Sequence, residues 1–314
     1  MTQYLLRRLV MIVPTFLVVS MLVFAMLRLI PGDVIDIMSQ GDPNRATADA
    51  LRTELGLDTP APYQYMVWLT GVLQGDLGKS IWTKKPVVDE LLWRIPVTLE
   101  MGFLALFMGL LIATPIAVVS ATKQDHAADY ALRTGAIGAV AVPSFWIATL
   151  VITLPSIWFG WTPPLKYVPI DEDTLEHFGG LLVPAFILSL ALMGRIVRLL
   201  RAMLLEVLHE DYVRTAWAKG LRESVVLHRH AIRNALIPVI TVIGLEIPLL
   251  LGGTVVIEEI FNLPGMGRFL LQSLQKRDYV PAQSIILIFA SVTMLINLVT
   301  DALYSVIDPR IRYS

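Results

Sequence analysis

Few residues of this chain form groupings that could do chemistry, and most of those groupings fail a simple spacing test. Gly75-Asp76-Leu77-Gly78-Lys79-Ser80 ends like a phosphate-binding loop. That loop needs a glycine where Leu73 stands, so the segment reads as a turn. His228-Arg229-His230 puts its imidazoles on different faces of a helix, with no carboxylate to complete a metal site. Neither His-Glu-x-x-His nor Gly-x-Ser-x-Gly occurs, and no nucleophile–base constellation is found. Cysteine is absent, which excludes disulfides and thiolate chemistry. The chain reads as non-catalytic, with no metal or cofactor of its own. Any energy from ATP must enter through another subunit.

Glu246 is a sharper case. It lies deep in an apolar segment, roughly 14 Å from its start at about 1.5 Å per residue. A carboxylate facing lipid there is costly, so it should face a water-filled path or a partner. Both readings stand: a translocation-path residue, or a paired structural carboxylate. Asn297, in the last apolar segment, is a second path candidate and an expected interhelical hydrogen-bonder. Glu100 and Asp301 sit nearer segment ends and read as solvated or capping groups. Arg195, Arg198 and Arg201 recur every third residue, as in a voltage sensor. Their place at the end of a span suits cations that snorkel to the interface instead.

The elements that must position these residues are membrane helices. The 314 residues are 55% hydrophobic and 16% charged, against about 25% charged in soluble domains. Mean hydropathy is +0.66. The net charge of −1 gives no reason to expect a nucleic acid partner. Six apolar segments are long enough to span: Leu9–Leu27, Val97–Ala121, Ala136–Ile157, Gly179–Gly194, Leu236–Ile257 and Val280–Leu303. The first is too long for a signal peptide and ends at Leu29-Ile30-Pro31-Gly32-Asp33, so it reads as an uncleaved span. Of the six, Gly179–Gly194 is the shortest before a charge, Arg195. Arg7, Arg8, Lys123, Arg133, the basic residues from Arg195 to Arg233, and Arg310 and Arg312 all fall on one side of six spans. That side is cytoplasmic by the positive-inside rule, and it holds both termini. The expected architecture is an all-α integral membrane protein, residues 1–314 forming one transmembrane domain. Residues 31–96 make a sizeable extracytoplasmic segment, with helices expected over Arg45–Leu55, stopped by Gly56, and Pro62–Leu73. Between the last two spans, Leu263-Pro264-Gly265-Met266-Gly267 predicts a turn before an amphipathic run over Phe269–Gln275.

The cytoplasmic segment 195–236 carries the most telling stretch. Glu210-Asp211-Tyr212-Val213-Arg214-Thr215-Ala216-Trp217-Ala218-Lys219-Gly220 predicts a short helix over 211–219, with Asp211 accepting from free backbone N–H groups and Gly220 ending it in a left-handed turn. At roughly 13 Å such a helix is marginal alone in water. Tyr212 and Trp217, with Ala216 and Ala218 between them, form a surface suited to a groove on a partner. Leu199, Leu200, Met203, Leu204, Val207 and Leu208 carry the fourth span onward as a helix, and Glu223–Ala235 predicts another. The short helix is held between two long ones.

Glu210–Leu221, followed by His230-Ala231-Ile232-Arg233-Asn234-Ala235-Leu236-Ile237-Pro238, resembles the coupling-helix region of ABC importer permeases. Further matches are Arg7-Arg8-Leu9, Ile30-Pro31-Gly32-Asp33, Glu54-Leu55-Gly56-Leu57-Asp58, Gly75-Asp76-Leu77-Gly78, Pro264-Gly265-Met266-Gly267-Arg268 and Asp308-Pro309-Arg310-Ile311-Arg312. Their order resembles the first permease subunit of dipeptide, oligopeptide and nickel transporters. The resemblance implies a type I importer in a bacterial or archaeal inner membrane. A homologous second permease, two cytoplasmic ABC ATPases carrying ATP and Mg, and an extracytoplasmic solute-binding protein would complete it. It also implies that Asp211–Gly220 inserts into a groove on one ATPase. Trp217 stands where this branch often has Arg, and Glu246 where a neutral amide is common. Peptides are the expected cargo; nickel complexes, glutathione and oligosaccharides travel through similar proteins. A rival of another class is a self-sufficient ion-coupled carrier using Glu246, which inverted repeats would favour; none is evident.

Overall fold

A computed structural model describes residues 2–29, 34–35, 52–53 and 58–307. Ile30–Asp33, the helix expected over Arg45–Leu55 apart from the helical Arg52 and Thr53, Glu54–Leu57 and Asp308–Arg312 lie outside the described residues. What is described is helical, with one isolated bridge between Lys79 and Pro86. Five helical stretches are long and apolar enough to cross a membrane, and a bent helix pair makes a sixth if it is one span. The chain divides into two compact units: Met1–Thr98 with Pro264–Leu298, and Leu99–Leu263 with Val299–Ser314.

The first unit is built on Thr2–Arg28, whose inner face supplies Val23 and Leu27 to a core with Val87, Leu91, Met266, Phe269, Leu270, Ala282 and Ile285. The run after the Pro264-Gly265 turn forms a helix over Met266–Gln275, three residues earlier than its amphipathic pattern alone suggested. The Met266 N–H donates to Thr98 Oγ1 at 2.9 Å. The expected helix after Pro62 runs Ala61–Leu73. Gly75 and Gly78 both adopt positive φ, so the stretch that ends like a phosphate loop is a turn. Asp278 anchors the loop that follows it, accepting from Ser80 Oγ at 2.6 Å and from the backbone N–H groups of Ile81 and Trp82. Burial pushes this carboxyl above its usual range despite those bonds.

The second unit is organised by a single 35-residue helix, Thr174–Leu208. Asp173 caps it, its side chain accepting from the Leu175 and Glu176 N–H groups. This helix contains the shortest apolar segment, yet 61% of its span is buried against 17–33% for the other straight spans. It is therefore the core of the unit. Gly194 lets a neighbouring helix come close, since an added methyl would strike the Ala136 carbonyl oxygen. The span expected as continuous over Ala136–Ile157 is instead two helices, Ala127–Ala141 and Ser144–Phe159, bent by 95°. Pro143 is the cause: it forces Val142 into an extended conformation (φ −90°, ψ 124°) and cannot extend the hydrogen-bond ladder.

Candidate functional site

The long helix ends at Leu208, and the turn His209-Glu210 leads into a short helix, Asp211–Ala218. Its start differs from expectation. Glu210 occupies the capping position and makes no side-chain cap bond. Asp211 is the first helical residue; its carboxylate is 99% exposed and lies 3.7 Å from Arg214. An acid there favours the helix through its dipole, not through a cap. The end is as expected. Gly220 takes φ +73°, its N–H donates to the Trp217 carbonyl, and the Leu221 N–H donates to that of Ala216. Those two bonds form a Schellman stop, which satisfies carbonyls left free at the helix end.

At about 100° per residue the helix has three distinct sides. Val213 and Ala216 are buried, packed with Val207 and Leu208 of the preceding helix and with Val226. Asp211, Arg214, Thr215 and Ala218 face away and are exposed. Tyr212 and Trp217 flank the buried stripe on opposite sides, each 43% exposed. Ala216 is thus not part of an outward surface with the aromatics, because its methyl fills the chain's own core. Tyr212 is tethered, its hydroxyl accepting from the Asn234 amide at 3.0 Å.

The return path differs from the plain helix expected over Glu223–Ala235. After Glu223–Val225 the chain forms a π-helix over Val226–Ile232, then an α-helix over Arg233–Ile260. The spacing of the buried residues explains it: Val226 and Ala231 are five apart, then Ala235 and Val239 follow at four. Five residues return to one face only if a turn is widened.

The arginine row resolves into unlike members. Arg201 does not snorkel: its Nε and Nη2 donate to Asp129 at 2.8 and 2.6 Å, and Nε also lies 3.1 Å from Ser120 Oγ. Asp129 is fully buried and accepts in addition from Ser120 Oγ and the Asp125 N–H. This bidentate cluster ties the long helix to Arg94–Thr122 and Ala127–Ala141. Sequence reasoning passed over Asp129, which with Asp125 stands between Lys123 and Arg133 in an inter-span segment of balanced charge. Arg198 is exposed.

Arg195 reaches Glu246, with Nη2 2.6 Å from Oε2. The contact is at ion-pair distance but is not aligned as a hydrogen bond, and Arg195 Nε also lacks an acceptor. Glu246 is buried at 6% exposure, while the Arg195 side chain keeps 32%. Of the two readings of Glu246, the structure displays the pairing. Asn297 lies in the other unit, is exposed, and makes no hydrogen bond among the described residues. Glu100 is not a free surface group either: its Oε2 lies 3.2 Å from Nε2 of buried His177, whose Nδ1 is held by the Val168 carbonyl.

Comparison with known proteins gives these features a context. Residues 113–313 match the family described as binding-protein-dependent transport system inner membrane component, and residues 1–102 match its N-terminal region. A putative peptide transport system permease protein of Brucella abortus is 39% identical over 313 residues, covering all of both chains. The glutathione transport system permease protein GsiC of Pectobacterium atrosepticum is 38% identical, again over both full lengths. The dipeptide transport system permease protein DppB of Escherichia coli is 37% identical, covering 100% of this chain and 99% of its own. Among solved structures, the MetNI methionine ABC transporter in inward-facing conformations superposes with a TM-score of 0.55 at 15% identity, over 69% of this chain and 96% of that one. An amino acid ABC transporter matches with a TM-score of 0.50, over 71% and 95%. The chain belongs to the inner membrane components of binding-protein-dependent transport systems, the multi-pass permease subunits of ABC importers of the dipeptide and oligopeptide type.

Proposed function

We propose that this permease moves peptides inward, driven by ABC ATPases that grip the Asp211–Gly220 helix from the cytoplasm. The peptide assignment rests on full-length relatives named for peptides, dipeptides and glutathione. In this reading both termini are cytoplasmic and residues 1–314 form one transmembrane domain. A homologous second permease completes the path and a binding protein delivers cargo. ATP and Mg stay on the partner subunits, and this chain performs no catalysis. Membership of a binding-protein-dependent family displaces the self-sufficient ion-coupled carrier as a reading.

The observation that carries the proposal is the three-sided short helix. Its buried stripe joins it to the long helix and the π segment, while its opposite side is polar and open to a partner. Burying Val213 contributes about 1.5–3 kcal/mol, enough to hold an otherwise marginal helix. A push from an ATPase would then pass through Val213 and Ala216 to the long helix, and through Tyr212 to Asn234. Asp129–Arg201 would carry it to the neighbouring helices, so that nucleotide-driven closure biases two arrangements of one body. Arg195–Glu246, incompletely bonded, is the candidate path element in that body.

The test is uptake of a labelled dipeptide by the reconstituted importer. Gly220→Asp is expected to abolish uptake while the chain remains folded and inserted. Uptake that persists without any ATPase would overturn the proposal.

A further inference from the structure

The first unit contains a cavity of about 500 Å³ for which transport provides no role. It lies between the end of the first helix, the helix Ala61–Leu73 and the start of the last helix. Its polar lining is unusual because much of it is unspent. Gln283 is 3% exposed, lines the cavity, and its Oε1 has no donor among the described residues. Buried Trp68 Nε1 likewise has no acceptor. Among the described residues Arg28 meets neutral partners only: Gln64 Oε1 from Nε and Nη2 at 3.2 and 2.7 Å, the Phe24 carbonyl at 3.5 Å, and the Phe24 ring 3.4 Å beneath it. Asp76 and Lys79 also line the space, with one Asp76 oxygen accepting from the Gly78 N–H.

Each unspent group asks for a complement. Arg28 and the Trp68 N–H want an anionic oxygen; Gln283 Oε1 and Asp76 want a cationic or neutral donor. One molecule offering an anion and an ammonium a few bonds apart would satisfy all of them. Position selects between a membrane source and a soluble one. Arg28 is the last residue of the first span, and Gln283 lies about one turn into the last span, so the cavity sits at the level of the membrane–water interface. Tyr63 and Trp68 wall it, residue types that favour that level. Met21, seven residues before Arg28 and so on the same face of the first helix, is exposed and apolar, a surface for an acyl chain.

We propose that this cavity binds the headgroup of an aminophospholipid, with the phosphate on Arg28 and Trp68 and the primary ammonium toward Gln283 and Asp76. The bound lipid fixes the Ala61–Leu73 helix against both spans. The proposal is independent of the cargo and of how the ATPase docks.

The experiment is native mass spectrometry of the delipidated transporter complex in detergent, titrated with dioleoyl phosphatidylethanolamine. Parallel titrations use dioleoyl phosphatidylglycerol and the soluble zwitterion dialanine. Wild type is expected to retain one phosphatidylethanolamine with at least about tenfold higher affinity than Arg28→Gln, the scale of one charged hydrogen bond. Trp68→Phe, which removes the N–H donor and keeps an aromatic ring, is expected to weaken retention in the same direction. Arg28→Lys is expected to recover part of it. Equal retention by wild type and both Arg28→Gln and Trp68→Phe overturns the site. Equal binding of phosphatidylglycerol removes the ammonium from the assignment. Displacement of the lipid by dialanine makes the occupant a soluble zwitterion, which also overturns it.

Discussion

Arg201 and Arg195 stand on the same helix six residues apart, and each meets a buried carboxylate, yet the two pairs are built differently. Arg201 makes a bidentate contact with Asp129, and the carboxylate is finished off by a hydroxyl and a backbone amide. Arg195 touches Glu246 with one nitrogen, out of hydrogen-bond alignment, and stays partly exposed. The carboxylate of the first pair has four hydrogen bonds and no spare acceptor, and it holds three helices together. The second has spare donors and an acceptor, so it can exchange partners without losing a filled network. Degree of satisfaction, more than charge, separates the filled pair from the open one.

Substitution should separate the pairs most clearly. Asp129→Ala leaves the largely covered Arg201 without its counter-charge and is expected to cost about 3 kcal/mol, read as a large fall in melting temperature and membrane yield. If Asp129→Ala melts like wild type, the clamp reading fails. Glu246→Gln is expected to cost no more than about 1 kcal/mol, because the Arg195 side chain stays 32% exposed and already lacks a full set of bonds. Its larger effect should be on dipeptide uptake, measured on the same preparation; an uptake unchanged alongside an unchanged melt would remove Glu246 from the path.

The short helix offers smaller and more local tests. Gly220→Ala forces a side chain into the left-handed region, for about 1 kcal/mol of stability, and should lower the ratio of uptake to ATP hydrolysis. Trp217→Ala, on an exposed flank, should leave the melt within about 0.5 kcal/mol yet reduce the ATPase that copurifies. Asp278 supplies a third kind of carboxylate, buried among neutral donors. Because burial raises its folded value above the usual carboxylate range, its contribution to stability is full below the unfolded value of about 3.9 and is lost as pH rises through the raised one. Asp278→Asn should therefore flatten the acid side of the melting-temperature profile, and an unaltered profile would mean the carboxyl titrates normally.

Much of this was legible in the residues. Apolar run length marked the spans, and Gly220 after a polar helix of one or two turns marked its end, because only glycine adopts that φ without strain. The bend at Val142-Pro143 was present in the sequence as a proline, but an apolar run passes over it and periodicity alone does not show a break. The π turn was equally present, as a five-residue step between Val226 and Ala231, visible once burial is known.

What the sequence by itself determined is where helices cross, where the short helix stops, and which family the chain belongs to. These depend on local backbone rules and on hydrophobic length. Only the tertiary structure decided that Arg201 meets Asp129, that Arg195 meets Glu246, that Ala216 turns inward, and that Arg28, Trp68 and Gln283 surround one space. Such pairings join residues far apart in the chain, and no local propensity carries information about which side chain will stand opposite another. The short helix Asp211–Ala218 is a three-sided element whose inner stripe belongs to the core of its own chain and whose opposite side is polar and exposed.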